Sequence, residues 1–220
     1  MISFTTVRLQ LEQKLRSAET PLLRDFLGQE FEDQVLACNH GPKDEIAFQY
    51  PRVQFKVIDR FAYVIGIAQG SESLQQAWRT LDPHQVGTDR IVVLQSDLET
   101  TCESIEATAT PIKYRFVTPW LALNQKNFQE YTGSRSQAFR REKLNRTVVG
   151  NCLGMCKSLG IALAGHIRAD CSGLSSIRTN QNRQSMIGFV GTFEINLNLP
   201  GLIGLGRSAS RGFGTVERQS

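Results

Sequence analysis

No run of apolar residues in this 220-residue chain approaches the ~20 that a bilayer-crossing helix needs, so a membrane-spanning helix is excluded. Cysteine is sparse, and the five present are odd in number and widely scattered, which argues against a disulfide framework. The first residues, Met-Ile-Ser-Phe-Thr-Thr, lack the charged, then apolar, then small-residue order of an export signal and read as a strand, so a cytoplasmic protein without a membrane partner is expected. No Gly-Lys-Ser/Thr closes any glycine-rich stretch, which removes a Walker-type phosphate loop. What is present, 40 % apolar and 21 % charged residues, is the balance of a folded globular chain. The length suits two small domains, each on the order of 100 residues.

Acidic residues are also unevenly supplied. Residues 1–110 hold 10 Lys/Arg against 16 Asp/Glu, and residues 111–220 hold 15 against 5, so a net charge of +4 conceals halves of −6 and +10. A basic half collects phosphates by releasing their counterions, which points to a polyanion such as nucleic acid. Attraction between the two halves is the other reading.

The apolar pattern resolves into two similar series of elements. Residues 4–11 alternate as a half-buried strand. Thr20 and Pro21 suit a helix start, with Leu22, Leu23, Phe26 and Leu27 on one face and Gly28 at the end. Residues 46–67 read as two strands turning near Asp59-Arg60, with Val53, Phe55 and Val57 on one side and Gln54 and Lys56 on the other, where Lys56 faces RNA or solvent. Ser73 and Gln76 have capping-box spacing before a stripe of Leu74, Ala77, Trp78 and Leu81, and residues 91–94 form a short strand. This is the ferredoxin-like βαββαβ order, closing near residue 106.

The second half repeats the order in distorted form. It has a strand at 112–121, a long helix at 137–159 and strands at 161–167 and 187–197 around a polar loop at 172–184. A helical turn at 200–203 and a strand at 214–218 complete it. The expected fold is therefore α+β, two tandem ferredoxin-like (RRM-like) domains at 1–106 and 107–220. Cys152 and Cys156 share the apolar face of the long helix with Val148, Met155 and Leu159, and read as core rather than as zinc ligands.

Two segments carry chemistry. Gly201, Gly204, Gly206, Gly212 and Gly214 interleave with Arg207 and Arg211, a composition that permits close backbone approach and offers N–H groups to phosphate oxygens. Its near match to a dinucleotide fingerprint has no following helix or acidic residue. Residues 134–146 hold Arg135, Arg140, Arg141, Lys143 and Arg146 against Glu142 alone, an excess of cations that opposes the helix dipole at a helix start unless an anion offsets it. Together these make a phosphate track, to which Arg178 and Arg183 add.

Residues 201–216, GLIGLGRSASRGFGTV, resemble the C-terminal glycine-rich loop of the CRISPR-associated endoribonucleases that cut precursor CRISPR RNA within its repeats. Residues 50–58, YPRVQFKVI, are similar to a Tyr-Pro-x-Val-Gln-Tyr-Lys segment of one branch of that family, and residues 23–28 to the short helix ahead of it. The resemblance implies RNA cleavage without a metal or cofactor, in which the ribose 2′-hydroxyl attacks the adjacent phosphate to leave a 2′,3′-cyclic phosphate and a 5′-hydroxyl. It implies CRISPR repeat RNA as a partner, with a second copy of the chain and other CRISPR effector subunits as further partners. The branch carries its catalytic histidines where His40 stands; its His-x-His pair is here Cys38 and His40. His40 is the expected proton-transfer group and Tyr50 a group that orients the phosphate or ribose. The chain has two other histidines: His84 reads as a loop residue and His166 as a residue within or beside a strand, in a place that suits a core histidine. A non-catalytic RNA-binding subunit of a CRISPR complex is the alternative reading, and the aromatic-rich segment of RRM proteins is missing.

Overall fold

The computed structural model describes residues 1–12, 14, 15, 19, 20, 23, 24, 49–59, 61–80, 87, 88, 91–181 and 184–219. The chain divides into two compact units, Met1–Glu103 with Ser210–Gly212, and Ser104–Ala209 with Phe213–Ser220.

The first unit is a five-stranded antiparallel sheet in the order β2-β3-β1-β5-β4, made of β1 (Ile2–Leu11), β2 (Val53–Ile58), β3 (Phe61–Ile67), β4 (Gly87–Thr88) and β5 (Ile91–Glu103). The β1 alternation holds: Val7, Leu9 and Leu11 join Val53, Phe55, Val57, Val64 and Leu74 in one core. Helix α1 (Gln69–Thr80) begins four residues before the expected cap. Ser73 lies inside it, its hydroxyl donating to the Gln69 carbonyl at 3.1 Å. Its start is fixed by tertiary contacts instead. Ala68 takes φ 53°, and the Ser71 hydroxyl bonds both Ser3 and Thr5 at 2.7 Å. Gly66 is needed beneath it, because a methyl there would lie 2.5 Å from the Gly70 carbonyl oxygen. β5 is far longer than the expected 91–94, since β1 pairs with it from Ile2↔Glu103 to Leu11↔Val93 and supplies the hydrogen bonds that its polar residues do not advertise.

β2 is buried on both faces. Opposite the Phe55 side, the Lys56 ammonium donates to Gln54 Oε1 at 2.9 Å, and Gln54 Nε2 donates to the Tyr50 hydroxyl at 2.8 Å. Lys56 therefore faces neither RNA nor solvent, contrary to both readings of the alternation: it is fully buried. Desolvation pushes its pKa from 10.5 down to about 7.

The second unit orders its strands β10-β6-β9-β7, with β8 also pairing β9. They are β6 (Ala107–Trp120), β7 (Ala169–Asp170), β8 (Leu174–Gln181), β9 (Gln184–Leu197) and β10 (Val216–Arg218). In the first unit β1 lies between β5 and β3, and in the second β6 lies between β10 and β9, the ferredoxin-like arrangement in which the first strand is central beside the last. Helix α2 (Gln125–Gly133) has no counterpart in the expectations, because it buries no residue and so shows no apolar stripe; Asn124 caps it by accepting from the Asn127 N–H. Helix α3 (Gln137–Ser158) follows the expected span and buries Leu144, Val148, Cys152, Met155 and Cys156. Burial pushes the thiol of Cys156 up to about 11 and that of Cys171 up to about 12, which suits core cysteines.

Three expectations fail here. Residues 161–167 are not a strand; Gly160 and Gly165 take φ 71° and 83°, and only Ala169–Asp170 pairs with β9. The polar stretch 172–184 is not a loop but holds β8, which runs against β9 from Leu174↔Gly191 to Gln181↔Gln184. As an edge strand it needs no apolar alternation. The helical turn at 200–203 is a tight turn with Leu202 at φ 61°, and the one-turn 3-10 helix sits at Ala209–Arg211. Of the expected first helix, Thr20 and Leu23 are buried, and its remainder lies largely outside the described residues. Among the described residues no helix is long and apolar enough to cross a membrane.

The unfolded chain takes up the Lys56 proton at a higher pH than the folded one, so stability rises with pH between about 7 and 10.5, by up to about 1.4 kcal/mol per unit, and is flat with respect to this group below that window. Lys56→Met is expected to remove this slope in urea-unfolding curves taken from about pH 7.5 to 9.5. A slope unchanged in the variant would assign it to other groups.

Candidate nucleic-acid interface

The glycine-rich segment is a packed double-back rather than an open tail. Leu202 N–H donates to Val216 O, Val216 N–H to Ile203 O, and Leu205 N–H to Gly214 O, at 2.8–2.9 Å. Ile203, Leu205 and Ala209 are buried. The Gly214 N–H goes to Pro119 O at 2.9 Å, so this amide is spent inside the protein. Gly214 takes φ 63°, and a methyl there would meet Leu205 O at 2.0 Å. Gly206, φ 80°, lies over the end of β6: a methyl would fall 2.6 Å from Trp120 Nε1 and 2.9 Å from Asn151 Oδ1. Gly204 bridges Thr215 and is buried. Gly212 belongs to the first unit, against Thr20 and the Phe55 carbonyl. Arg207 is exposed between Gly206 and Ser208, which are both left-handed. Gln181 Nε2 donates to the Ser208 hydroxyl and holds that turn. Arg211 closes the 3-10 turn and is half-buried.

The basic cluster lies at the start of α3, capped by Ser136, whose hydroxyl accepts from the Phe139 N–H. Its cations are not equivalent. Lys143 pairs with Glu130 of α2, and its hydrogen bond holds the Glu130 carboxyl below the usual range. Arg146 pairs with Glu142 at 2.6 Å, and Arg140 donates to Tyr131 O at 3.0 Å beside the Tyr131 ring. Protein groups thus meet part of the charge that the sequence left open. Arg135, Arg141 and Arg207 are exposed, with no partner among the described residues. Lys143, Arg146, Thr147 and Asn151 recur at helical spacing along one face of α3, a signal present in the sequence but hidden behind the apolar stripe. With Asn127 and Glu130 they line a groove between α2 and α3.

In the first unit Tyr50 is 3 % exposed, and its hydroxyl accepts from Gln54. His40, Cys38, His84 and Arg183 lie outside the described residues. His166 is exposed in an irregular stretch, not in a core strand as expected.

Gly214→Ala is expected to cost on the order of 2–4 kcal/mol in chemical denaturation, because the left-handed backbone and the Leu205 carbonyl leave no room. Gly201→Ala, with nothing within 4 Å of the added methyl, should stay within ~0.5 kcal/mol. Equal losses at the two positions would contradict the packed loop.

Residues 1–104 match the Cas6b N-terminal domain family and residues 106–219 the Cas6b C-terminal domain family. A crystal structure of Cas6b superposes with a TM-score of 0.86 at 28 % identity over 99 % of both chains. The CRISPR RNA processing endoribonuclease Cas6b gives 0.78 at 29 % identity over the whole of both. Thermus thermophilus Cas6, at 12 % identity and a TM-score of 0.60, shares the fold over 100 % of this chain and 98 % of its own. An uncharacterised protein of Methanocaldococcus jannaschii is 37 % identical over 107 residues, 49 % of this chain and 72 % of that protein. With both domain families matched in order across almost its full length, the chain belongs to the Cas6b family.

Proposed function

We propose that this protein is an endoribonuclease that processes CRISPR RNA, cleaving the precursor within its repeats without a metal ion. The observation that carries the reading is the match of both halves to the Cas6b domain families, supported by a Cas6b structure named as a CRISPR RNA processing endoribonuclease. In the proposed reaction a base takes the proton of the ribose 2′-hydroxyl, the O2′–P bond forms and the P–O5′ bond breaks. The 5′-oxygen takes up a proton, leaving a 2′,3′-cyclic phosphate and a 5′-hydroxyl. His40 supplies one of these transfers, since an imidazole exchanges protons near neutral pH. Tyr50 is the proposed group that orients the phosphate or the ribose, its hydroxyl held by a hydrogen bond from Gln54 Nε2 at 2.8 Å.

Arg135, Arg141 and Arg207 are the proposed first phosphate contacts, because they need break no ion pair to bind. Arg140, Lys143, Arg146 and Arg211 follow, and the glycine segment fixes where Arg207 stands. A second copy of the chain and other CRISPR effector subunits are proposed partners. A non-catalytic RNA-binding role is favoured by one observation, Cys38 in the first position of the family's histidine pair.

Purified protein incubated with repeat RNA in EDTA is expected to release a cyclic-phosphate product. His40→Ala should lower the rate by ~10²-fold or more while binding persists. Binding without cleavage by the wild type would leave the non-catalytic role, and no binding would overturn both. Arg135→Ala with Arg141→Ala should make the slope of log K against log salt shallower by about 1.4, as two lost phosphate contacts on a single strand require.

A further inference from the structure

Residues 1–110 are net acidic, yet one of their cations is spent on no acid. Arg8 of β1 is exposed, with its guanidinium carbon 3.8 Å from the centroid of the Phe61 ring on β3. A carboxylate stands beside it, because Asp97 of β5 is its direct partner in the strand register. No ion pair forms: Asp97 Oδ1 accepts from Gln95 Nε2 at 3.3 Å, and Arg8 has no hydrogen bond or ion pair among the described residues. A guanidinium laid over an aromatic ring keeps its N–H groups in its own plane, directed past the ring, where their fork matches two phosphate oxygens. The ring thus restrains the side chain without satisfying its donors.

The register says where this cation stands. Arg8 lies opposite Tyr63 of β3, and Tyr63 lies opposite Lys56 of β2. Residues paired in this way project from the same side of a sheet, so the three form one row across three strands, on the face away from the Val7, Phe55 and Val64 core. At its buried end the row joins the hydrogen-bonded line from Lys56 through Gln54 to Tyr50, the group proposed above to orient the phosphate or the ribose. Tyr63 is half-buried and Arg8 is exposed, so the row opens to solvent at the arginine. Strand spacing sets the backbone of Arg8 about 10 Å from that of Lys56.

We propose that Arg8 holds a phosphate of the RNA adjoining the one that is cut, a substrate-positioning contact that rests on the RNA-processing reading. Phe61 is a positioning residue that fixes the guanidinium. The acidic half of the chain then contributes a cation of its own to the RNA, placed by sheet register beside the proposed reaction centre.

Single-turnover cleavage and salt-dependent binding of repeat RNA by the full chain test the contact. Arg8→Gln is expected to lower the cleavage rate at saturating protein about tenfold. It should also make the slope of log K against log salt shallower by about 0.7, as one lost phosphate contact on a single strand requires. Arg79→Gln removes the same charge from the last turn of α1, outside the row, and should change neither rate nor slope. Phe61→Leu keeps the charge, so the slope should stay while the rate falls about threefold, and Phe61→Tyr, which returns the ring, should restore the rate. Melting curves report folding of every variant. Arg8→Gln that matches the wild type in rate and slope overturns the contact, even if its melting temperature falls, and so does a loss that Arg79→Gln shares. A wild type that binds repeat RNA without cutting it would sink the proposed activity and leave the salt slope to decide the contact, and failure to bind RNA would sink both.

Discussion

The second unit depends on the Trp120 indole. It ends β6, stacks on Phe116 at 5.0 Å with the rings nearly parallel, and meets Phe189 of β9 at 6.1 Å. Its N–H is given to Asn151 of α3, so one side chain joins two strands and the long helix. The glycine segment is then laid over it: Gly206 approaches the indole closer than any side chain would allow, and Gly214, also beside the indole, has no room for a methyl against the Leu205 carbonyl. A buried indole N–H without an acceptor costs roughly 1–3 kcal/mol, which ties the identity of residue 151 to that of residue 120. The left-handed turns of the segment and the exposed station of Arg207 follow from that packing rather than from any freedom of the glycines.

The first unit solves a different problem. β2 has Phe55 and its neighbours in the core on one face and a line of polar groups, Tyr50, Gln54 and Lys56, buried on the other. A fully buried ammonium is costly in a hydrocarbon setting, and the amide of Gln54 offsets part of that cost by spanning the lysine and the phenol. The helix α1 is held to the opposite side of the sheet by hydroxyls, with Gln75 adding a bond to Thr5 at 3.1 Å. Polar contacts thus fix orientation in a unit whose cohesion is apolar.

The sequence was most legible where one face of an element is apolar and the other polar. β1, β2 and α3 show the expected period because each presents one apolar face to a core, and much of the order of elements followed from them. β8 and most of β5 escaped notice because their residues are exposed and polar, and their strand character comes from the partner's hydrogen bonds. The start of α1 was misplaced because a local cap signal at Ser73 lost to the tertiary clasp of Ser71. At the interface, composition marked the glycines and the cations as a group, but it did not separate Gly206, which admits an indole, from Gly201, which has open space. Nor did it show that Glu130, thirteen residues before Lys143, would be its partner, since only the antiparallel return of α2 and α3 brings them together.

The pairing of Lys143 and Arg146 with carboxylates bears on how this surface exchanges ions. An exposed arginine that neutralises a phosphate frees a cation condensed on the polyanion, and the entropy of that ion favours binding. A lysine already held by Glu130 brings little net charge to that exchange; a phosphate reaching it displaces a tethered carboxylate, which stays nearby and competes. Contacts of the second kind add selectivity for geometry while contributing little to the salt dependence. The helix surface is in that sense partly self-buffered, with its own acidic side chains standing in for the ionic atmosphere.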